Sequence, residues 1–308
     1  MSLSLRKAAR SATKARVLLE GPAGSGKTTG ALLMAGGLKD SLGLSGDVIV
    51  IDTERGSSDA YEERIPGGFQ IVDLEAPYTP ERFVEALQVA EGASPSVIVI
   101  DSISHAWSGS GGCLELNDSL AKSKYRGNSW SAWSETKLRW RRMLERIIAS
   151  PAHVILTGRS KTETAQVDEG GRKKVVRLGM KLESEDSLAY EMMLGLSIVH
   201  EQHFATVTKD RTGLYVDRDP EIITAEFGER LGNWIKGSKA IAPPPELVRK
   251  LNLDPDAFAT AKAYLSNGIT SEQAMSAKKK IVDRGNDGSF TEEQVTELLE
   301  LANKKAGT

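Results

Sequence analysis

A mixed α/β fold with a mainly parallel sheet follows from three observations. Short β-branched runs alternate with helical stretches between residues 15 and 236. Two of those runs, residues 48–51 and 97–100, are uninterrupted apolar segments that end in an acid. A glycine-rich turn, residues 21–26, separates the first run from the first helix. Unbroken apolar runs suit strands buried on both faces, and helices are the usual connections between parallel strands.

Taken in order, residues 15–20, 48–51, 69–72, 97–100 and 153–157 read as buried strands, and residues 27–38, 80–91 and 130–149 as helices between them. Residues 192–200 and 204–209 read as two strands about a short turn, so the sheet ends in an antiparallel hairpin, and a helix at 225–235 closes the core. Residues 1–14 form a basic arm. Arg6, Lys7, Arg10 and Lys14, with the adjacent Arg16, give the first sixteen residues a local charge of +5, which reads as a solvated tail able to touch phosphates. Pro243 to Pro245 mark residues 237–245 as a linker, because proline continues neither a helix nor a central strand. Residues 246–308 then read as a small helical module. Its first helix is opened by Asp254 with Pro255 at the first helical position, and its last by Thr291 and Gln294 in a capping box.

Apolar residues at 40% and charged residues at 27% are ordinary for a globular chain. The net charge of −2 means that any polyanion must meet a local basic surface. Cys113, the only cysteine, excludes an internal disulfide and suits a reducing compartment. No apolar run approaches the ~20 residues of a membrane span, and no signal-peptide stretch opens the sequence. A cytoplasmic location without membrane contact is the expectation.

Gly21-Pro22-Ala23-Gly24-Ser25-Gly26-Lys27-Thr28 fits G-x-x-x-x-G-K-[ST] and lies between a strand and a helix, where a phosphate-binding loop must lie. The glycines let backbone N–H groups turn toward a phosphate chain, and the helix N-terminus, including Thr29, adds its positive end. Lys27 is the candidate for the β- and γ-phosphates and Thr28 for Mg²⁺. Asp101, at the end of residues 97–100, is the second candidate metal ligand. Glu54, after the strand at 48–51, is the candidate base for an attacking water. These assignments make ATP with Mg²⁺ the expected cofactor pair.

Together these segments resemble the RecA-like branch of P-loop ATPases, in which a strand end like Ile51-Asp52-Thr53-Glu54 carries the catalytic glutamate and the metal strand ends in Asp-Ser, as Asp101-Ser102 does. Lys209-Asp210-Arg211-Thr212-Gly213 resembles the K-x-R-x-G segment of DnaB-type helicases and KaiC proteins. That resemblance implies that Lys209 and Arg211 act on the γ-phosphate of a neighbouring subunit, and hence self-association into a ring or filament. Cations delivered to a transferring phosphoryl group can be worth ~10³–10⁵ in rate. Residues 14–236 are most similar to phage-encoded RecA-like ATPases, including recombinase-like proteins associated with single-strand annealing. Thr157 and Arg159 stand near the position where bacterial RecA carries an Asn-Gln pair, which makes them candidate γ-phosphate sensors.

Residues 122–161 hold ten basic side chains against two acids, a local +8. Such an excess can neutralise phosphates. Lys122, Lys124, Tyr125 and Arg126 are the first candidate contacts to single-stranded DNA; Arg172, Lys173 and Lys174 form a second basic loop. The glycines of residues 108–112 suggest a flexible approach to this region. Trp107 and Tyr125 are candidates for base stacking, whereas Trp140 reads as core. The expected activity is an oligomeric, DNA-stimulated ATPase of phage-type recombination, annealing or replication, working with phage or host proteins of those processes. A helicase-like motor or loader, and a KaiC-like switch that binds protein partners, are the alternatives.

Overall fold

The computed structural model describes residues 9–10, 13–169, 172–216 and 218–237, and in the C-terminal part residues 255–266, 270, 273–274, 277–278, 280–281 and 292–306. Contacts divide the chain into two compact units, Met1–Ile241 and Ala242–Thr308. Most of the basic arm and all of the linker beyond Gly237 lie outside the described residues.

The strands are β1 (Arg16–Gly21), β2 (Val48–Asp52), β3 (Gln70–Asp73), β4 (Val97–Asp101), β5 (His153–Glu169), β6 (Arg172–Leu182), β7 (Leu194–Ile198), β8 (Phe204–Asp210) and β9 (Glu221–Ile222). Their order is β3-β2-β4-β5-β1-β7-β8-β9. The six strands from β3 to β7 in this order run parallel; β8 runs antiparallel to β7, as the turn between residues 192–200 and 204–209 predicts, and β9 runs antiparallel to β8. The helices are α1 (Lys27–Leu42), α2 (Pro80–Gly92), α3 (Ser104–Ser108), α4 (Cys113–Ser123), α5 (Ser129–Ile148), α6 (Ser187–Glu191) and α7 (Ala225–Ile235), with a 3-10 helix at Ser57–Arg64. In the second unit α8 (Pro255–Ser266) and α9 (Glu292–Ala306) pack about Leu265, Ile281, Leu298 and Ala302.

Strand alternation divides the first unit into three layers. Val17, Leu19, Val48, Val50, Val97 and Val99 join Leu32, Phe227 and Leu231 of α1 and α7 in one core. Leu18, Ile49, Ile51, Ile98 and Ile100 point the other way and join Phe83, Trp140 and Leu144 of α2 and α5. Trp140 is therefore core, as its spacing predicts. Glycines set the contact between α1 and α7: a Cβ on Gly37 would lie 1.9 Å from the Ala225 carbonyl oxygen, and one on Gly228 would lie 2.0 Å from that of Met34.

Two expectations change. Arg16 is not part of a solvated tail. It is buried, and its guanidinium donates to the carbonyl oxygens of Ala15 (2.7 Å), Ile148 (2.8 Å), Ser150 (2.5 Å) and Ala152 (2.8 Å), closing the C-terminal end of α5. Burial lowers its pKa to about 10. The strand expected at 153–157 continues to Glu169 and pairs antiparallel with β6, placing Glu169 opposite Arg172 and Asp168 opposite Lys173. Arg172, Lys173 and Lys174 are thus strand residues rather than loop residues; their side chains and Gly170-Gly171 lie outside the described residues.

Gly228→Ala should destabilise the first unit by ~2 kcal/mol through overpacking, with a fall of about 5 °C in its thermal transition. His153 provides a pH test. Its Nδ1 accepts from the Ala15 N–H at 3.1 Å, and burial, aided by Lys14 and Arg16, lowers its pKa to about 4. The unfolded chain therefore binds the proton first. This contribution is complete above pH ~6.5 and is lost as pH falls toward 4, up to ~3 kcal/mol. Denaturant titrations at several pH values should show that loss, and His153→Asn, which keeps an acceptor that does not titrate, should reduce it.

Candidate active site

The phosphate loop begins where β1 ends. Gly21 has no room for a side chain, because a Cβ there would lie 2.5 Å from both the Ile198 carbonyl oxygen and Ser25 Oγ. Gly24 and Gly26 take φ of 74° and 89°, a left-handed conformation that glycine adopts without strain, and Gly26 caps α1. Lys27 opens the helix and folds back, donating from Nζ to the Pro22 carbonyl oxygen at 2.7 Å. Burial pushes Lys27 below the ordinary lysine range, against the opposing pull of Asp101 and Glu54.

Asp101 is brought to this loop by the sheet order. With β5 between β1 and β4, the C-terminal ends of these strands converge, and the Asp101 carboxylate accepts from Thr28 Oγ1 at 2.6 Å and from Thr157 Oγ1. Burial raises its pKa despite both hydroxyl donors. The hydroxyl of Thr28 and the carboxylate of Asp101 are adjacent hard oxygen donors beside a phosphate loop, a donor set that fits Mg²⁺ with water and phosphate oxygens completing the shell.

The β2 end is held separately. Asp52 accepts from the backbone N–H groups of Glu54 (2.5 Å) and Ser58 (2.9 Å), which turns the chain at Glu54. Thr53 Oγ1 bridges to β4: it accepts from the Ser102 N–H at 2.8 Å and lies 2.7 Å from His105 Nδ1. The peptide bond between Asp101 and Ser102 is cis. Glu54 Oε1 accepts from Arg159 Nη2 at 2.8 Å and Nε at 3.3 Å. Arg159 is itself fixed through its backbone N–H, which donates to Ser104 Oγ at 2.9 Å. Ala23, Gly24, Gly26, Lys27, Thr28, Thr29, Glu54, Asp101 and Arg159 line one cavity of about 420 Å³ together with Ser57 and Tyr61.

Tyr61, Ser104 and His105 were not anticipated. The run Ser102-x-Ser104-His105 directly after Asp101 was the available signal for the last two. His200 and His203 also escaped notice, although the β7–β8 turn lays their rings against Gly24 and Gly26.

Lys209 and Arg211 are not in this cavity. Lys209 pairs in register with Gly195, level with Leu18, three residues and ~10 Å back along β1 from Gly21. Lys209 donates to the carbonyl oxygens of Ala189 (2.9 Å) and Tyr190, and Arg211 to that of Tyr190 at 2.6 Å, at the C-terminal end of α6. Burial lowers the Lys209 pKa, with Arg211 adding to the effect.

The basic segment is also rearranged by folding. Lys124 pairs with Glu135, Lys137 with Glu185, Arg139 with Glu81, Arg146 with Glu91, Arg159 with Glu54 and Lys161 with Glu183. Five of those six acids lie outside the segment, so its +8 is largely neutralised in space. Tyr125 donates to Glu135 at 3.3 Å and lies under the Lys124 ammonium, 5.7 Å from the ring centroid. Lys122 and Arg126 are exposed. The glycines of residues 108–112 serve close packing: Cβ atoms on Gly109 and Gly111 would lie 2.7 Å from the His105 carbonyl oxygen and 2.6 Å from Pro77 Cβ. Cys113 is buried, which raises its thiol to about 12 and leaves it unreactive.

The sequence model of AAA_24, described as an AAA domain, matches residues 13–224. The chain belongs to this family. AAA_24 membership makes it a P-loop ATPase and carries nucleotide binding with it, which agrees with the cavity above. A KaiC-like protein from the hyperthermophilic archaeon Pyrococcus horikoshii OT3 is similar at 15% identity, over 63% of this chain and 78% of that one, with a TM-score of 0.37. Comparison with curated proteins found no match. No helix among the described residues is long and apolar enough to cross a membrane.

Lys27→Ala should weaken ATP binding about tenfold or more, since a charge-assisted contact to phosphate is lost. A fluorescent-nucleotide titration in Mg²⁺ measures it.

Proposed function

We propose that this AAA_24 protein is an oligomeric, DNA-stimulated Mg·ATP hydrolase of phage-type recombination, single-strand annealing or replication. The observation that carries the reading is the Glu54–Arg159 pair. A carboxylate suited to activate water is engaged by a guanidinium on the next strand but one, so turnover calls for something that draws Arg159 away.

In this reading the loop N–H groups and Lys27 hold the β- and γ-phosphates, while Thr28 and Asp101 hold Mg²⁺ in their shared corner. When bound, the metal neutralises charge that develops on the phosphoryl oxygens. Thr157 keeps Asp101 oriented. The γ-phosphate competes with Glu54 for Arg159; once released, Glu54 accepts the proton of the attacking water. Arg159 is then a sensor that acts through Glu54. Lys209 and Arg211, too far back to serve their own loop, are free to serve a neighbour's nucleotide when α6 releases them, which ties turnover to assembly.

Mg²⁺-dependent phosphate release should be abolished in Glu54→Gln and remain stimulated by single-stranded DNA in the parent. In Arg159→Ala the ratio of DNA-stimulated to basal kcat should fall toward one. Absence of stimulation in the parent across a salt series would refute the DNA reading. A mixture of Glu54→Gln and Arg211→Ala chains should regain part of the activity that each lacks; no recovery in assembled mixtures would refute action in trans.

A further inference from the structure

A second cavity, of about 840 Å³, opens between the N-terminal half of α5 and the root of the β5–β6 hairpin. Three indoles build one wall. Trp107 of α3 stacks on Trp133 of α5 with centroids 5.6 Å apart and planes at 23°, and is braced edge-on by the buried Trp140 at 5.4 Å. Trp130, one turn earlier on α5, is 87% exposed. It is not a scattered side chain: Trp107, Trp133 and the part-exposed Leu114 line the same cavity, and a contiguous apolar patch of this kind marks an interaction site.

Further along the same face of α5 come Lys137 and Arg141, with Lys161 and Lys181 on the hairpin opposite. From Trp130 to Arg141 this stripe is ~16 Å long at 1.5 Å per residue, enough for a few bases stacked at ~3.4 Å. Lys137, Lys161 and Lys181 pair with Glu185, Glu183 and Asp186 through ion pairs of 3.4–3.5 Å whose lysines are about half exposed or more. The ammonium ends reach water and long pairs of this kind hold them weakly, at ~0–1 kcal/mol, so phosphates can share them with Glu183, Glu185 and Asp186, which line the same groove. Arg141 has no acidic partner among the described residues.

We infer that this groove is the seat of single-stranded DNA, with bases stacked on Trp130 and the Trp107–Trp133 pair and the backbone tracked by Arg141, Lys137 and Lys161. The inference rests on the DNA-stimulated reading and names where the activator binds. The combination of flat aromatic faces with a rim of weakly paired cations is what sequence-tolerant single-strand binding uses. None of Lys122, Lys124, Tyr125 or Arg126 lines it.

The groove has two short routes to the catalytic carboxylate. Trp107 belongs to α3, whose Ser104 fixes the Arg159 backbone and whose His105 touches Thr53, the residue before Glu54. Lys161 stands two residues beyond Arg159 on β5. A strand seated between α5 and the hairpin pulls on both, and the Arg159–Glu54 pair is where they meet.

Binding is measured by anisotropy of fluorescein-labelled oligo(dT), with oligo(U) and a duplex as the other arms, alongside phosphate release. The parent should bind oligo(dT) best. Trp130→Ala and Arg141→Ala should each weaken that binding, Trp130→Ala by about tenfold, and lower the ratio of stimulated to basal turnover; Trp130→Phe should retain most of the affinity. Circular dichroism of these exposed-site variants should match the parent. If the parent binds oligo(dT) and both alanine variants bind equally well, the groove is not the site, while the DNA-stimulated reading stands. If the parent prefers oligo(U) or duplex, the assigned occupant is overturned. If it binds none of the three, the broader reading falls and the groove with it.

Discussion

The Asp101 carboxylate is the point through which the catalytic half of the molecule is joined. It closes β4, is 2% exposed, and accepts from hydroxyls on α1 and β5, while its carbonyl oxygen accepts from the Thr53 backbone at the end of β2. Four elements are thereby registered on one residue. A carboxylate so enclosed disfavours its own ionised form, and its raised pKa expresses that cost. The corner is therefore electrostatically incomplete with hydroxyl donors alone. A divalent cation and the ammonium of Lys27 are the charges that suit it, which is why a triphosphate and its metal fit here together.

That corner was legible because its residues obey local rules. The repeated Val-Ile-Val-Ile-Asp segments put valines on one face and isoleucines on the other, and the acid that ends each run emerges at the sheet's C-terminal edge whatever surrounds it. The loop from Gly21 to Thr28 is constrained just as locally. What escaped depends on partners remote in sequence. Nothing near Arg16 announces that it will close α5, since its acceptors at that end, Ile148 and Ser150, lie more than 130 positions away. The β5–β6 hairpin was partly readable, because Gly170-Gly171 separates two β-prone runs, but residues 160–169 and 172–182 mix charge with alternation and carry no apolar block of the kind that marked the other strands.

Charge shows the same division. A count along residues 122–161 describes a cationic segment, yet α2 and the 183–185 turn supply Glu81, Glu91, Glu183 and Glu185 to it. Among the described residues Lys122, Arg126, Arg141 and Arg142 keep no acid partner, and of these Arg141 alone lines the groove beside the indoles, a pattern set by which faces of α5 the neighbouring acids reach.

The two halves of the catalytic cavity consequently differ in how readily they rearrange. Asp101, Thr157 and Thr53 are buried and mutually hydrogen-bonded, and separating them would leave polar groups unsatisfied at ~1–3 kcal/mol each. The Glu54–Arg159 pair is different: its side chains are 31% and 44% exposed, so water stands ready to replace either partner and the pair contributes ~0–1 kcal/mol. In the proposed reading, a rigid corner for the metal beside a labile pair at Glu54 is a division of labour that lets a ligand change the rate without dismantling the site. The shift needs only a small differential interaction, because the element being moved is weakly held. The backbone of β5 is held at Thr157 by the bond to Asp101 and at Arg159 by pairing with Gly21 and the bond to Ser104, so in the proposed reading what a ligand moves is the Arg159 side chain, the weakly held end of its pair with Glu54.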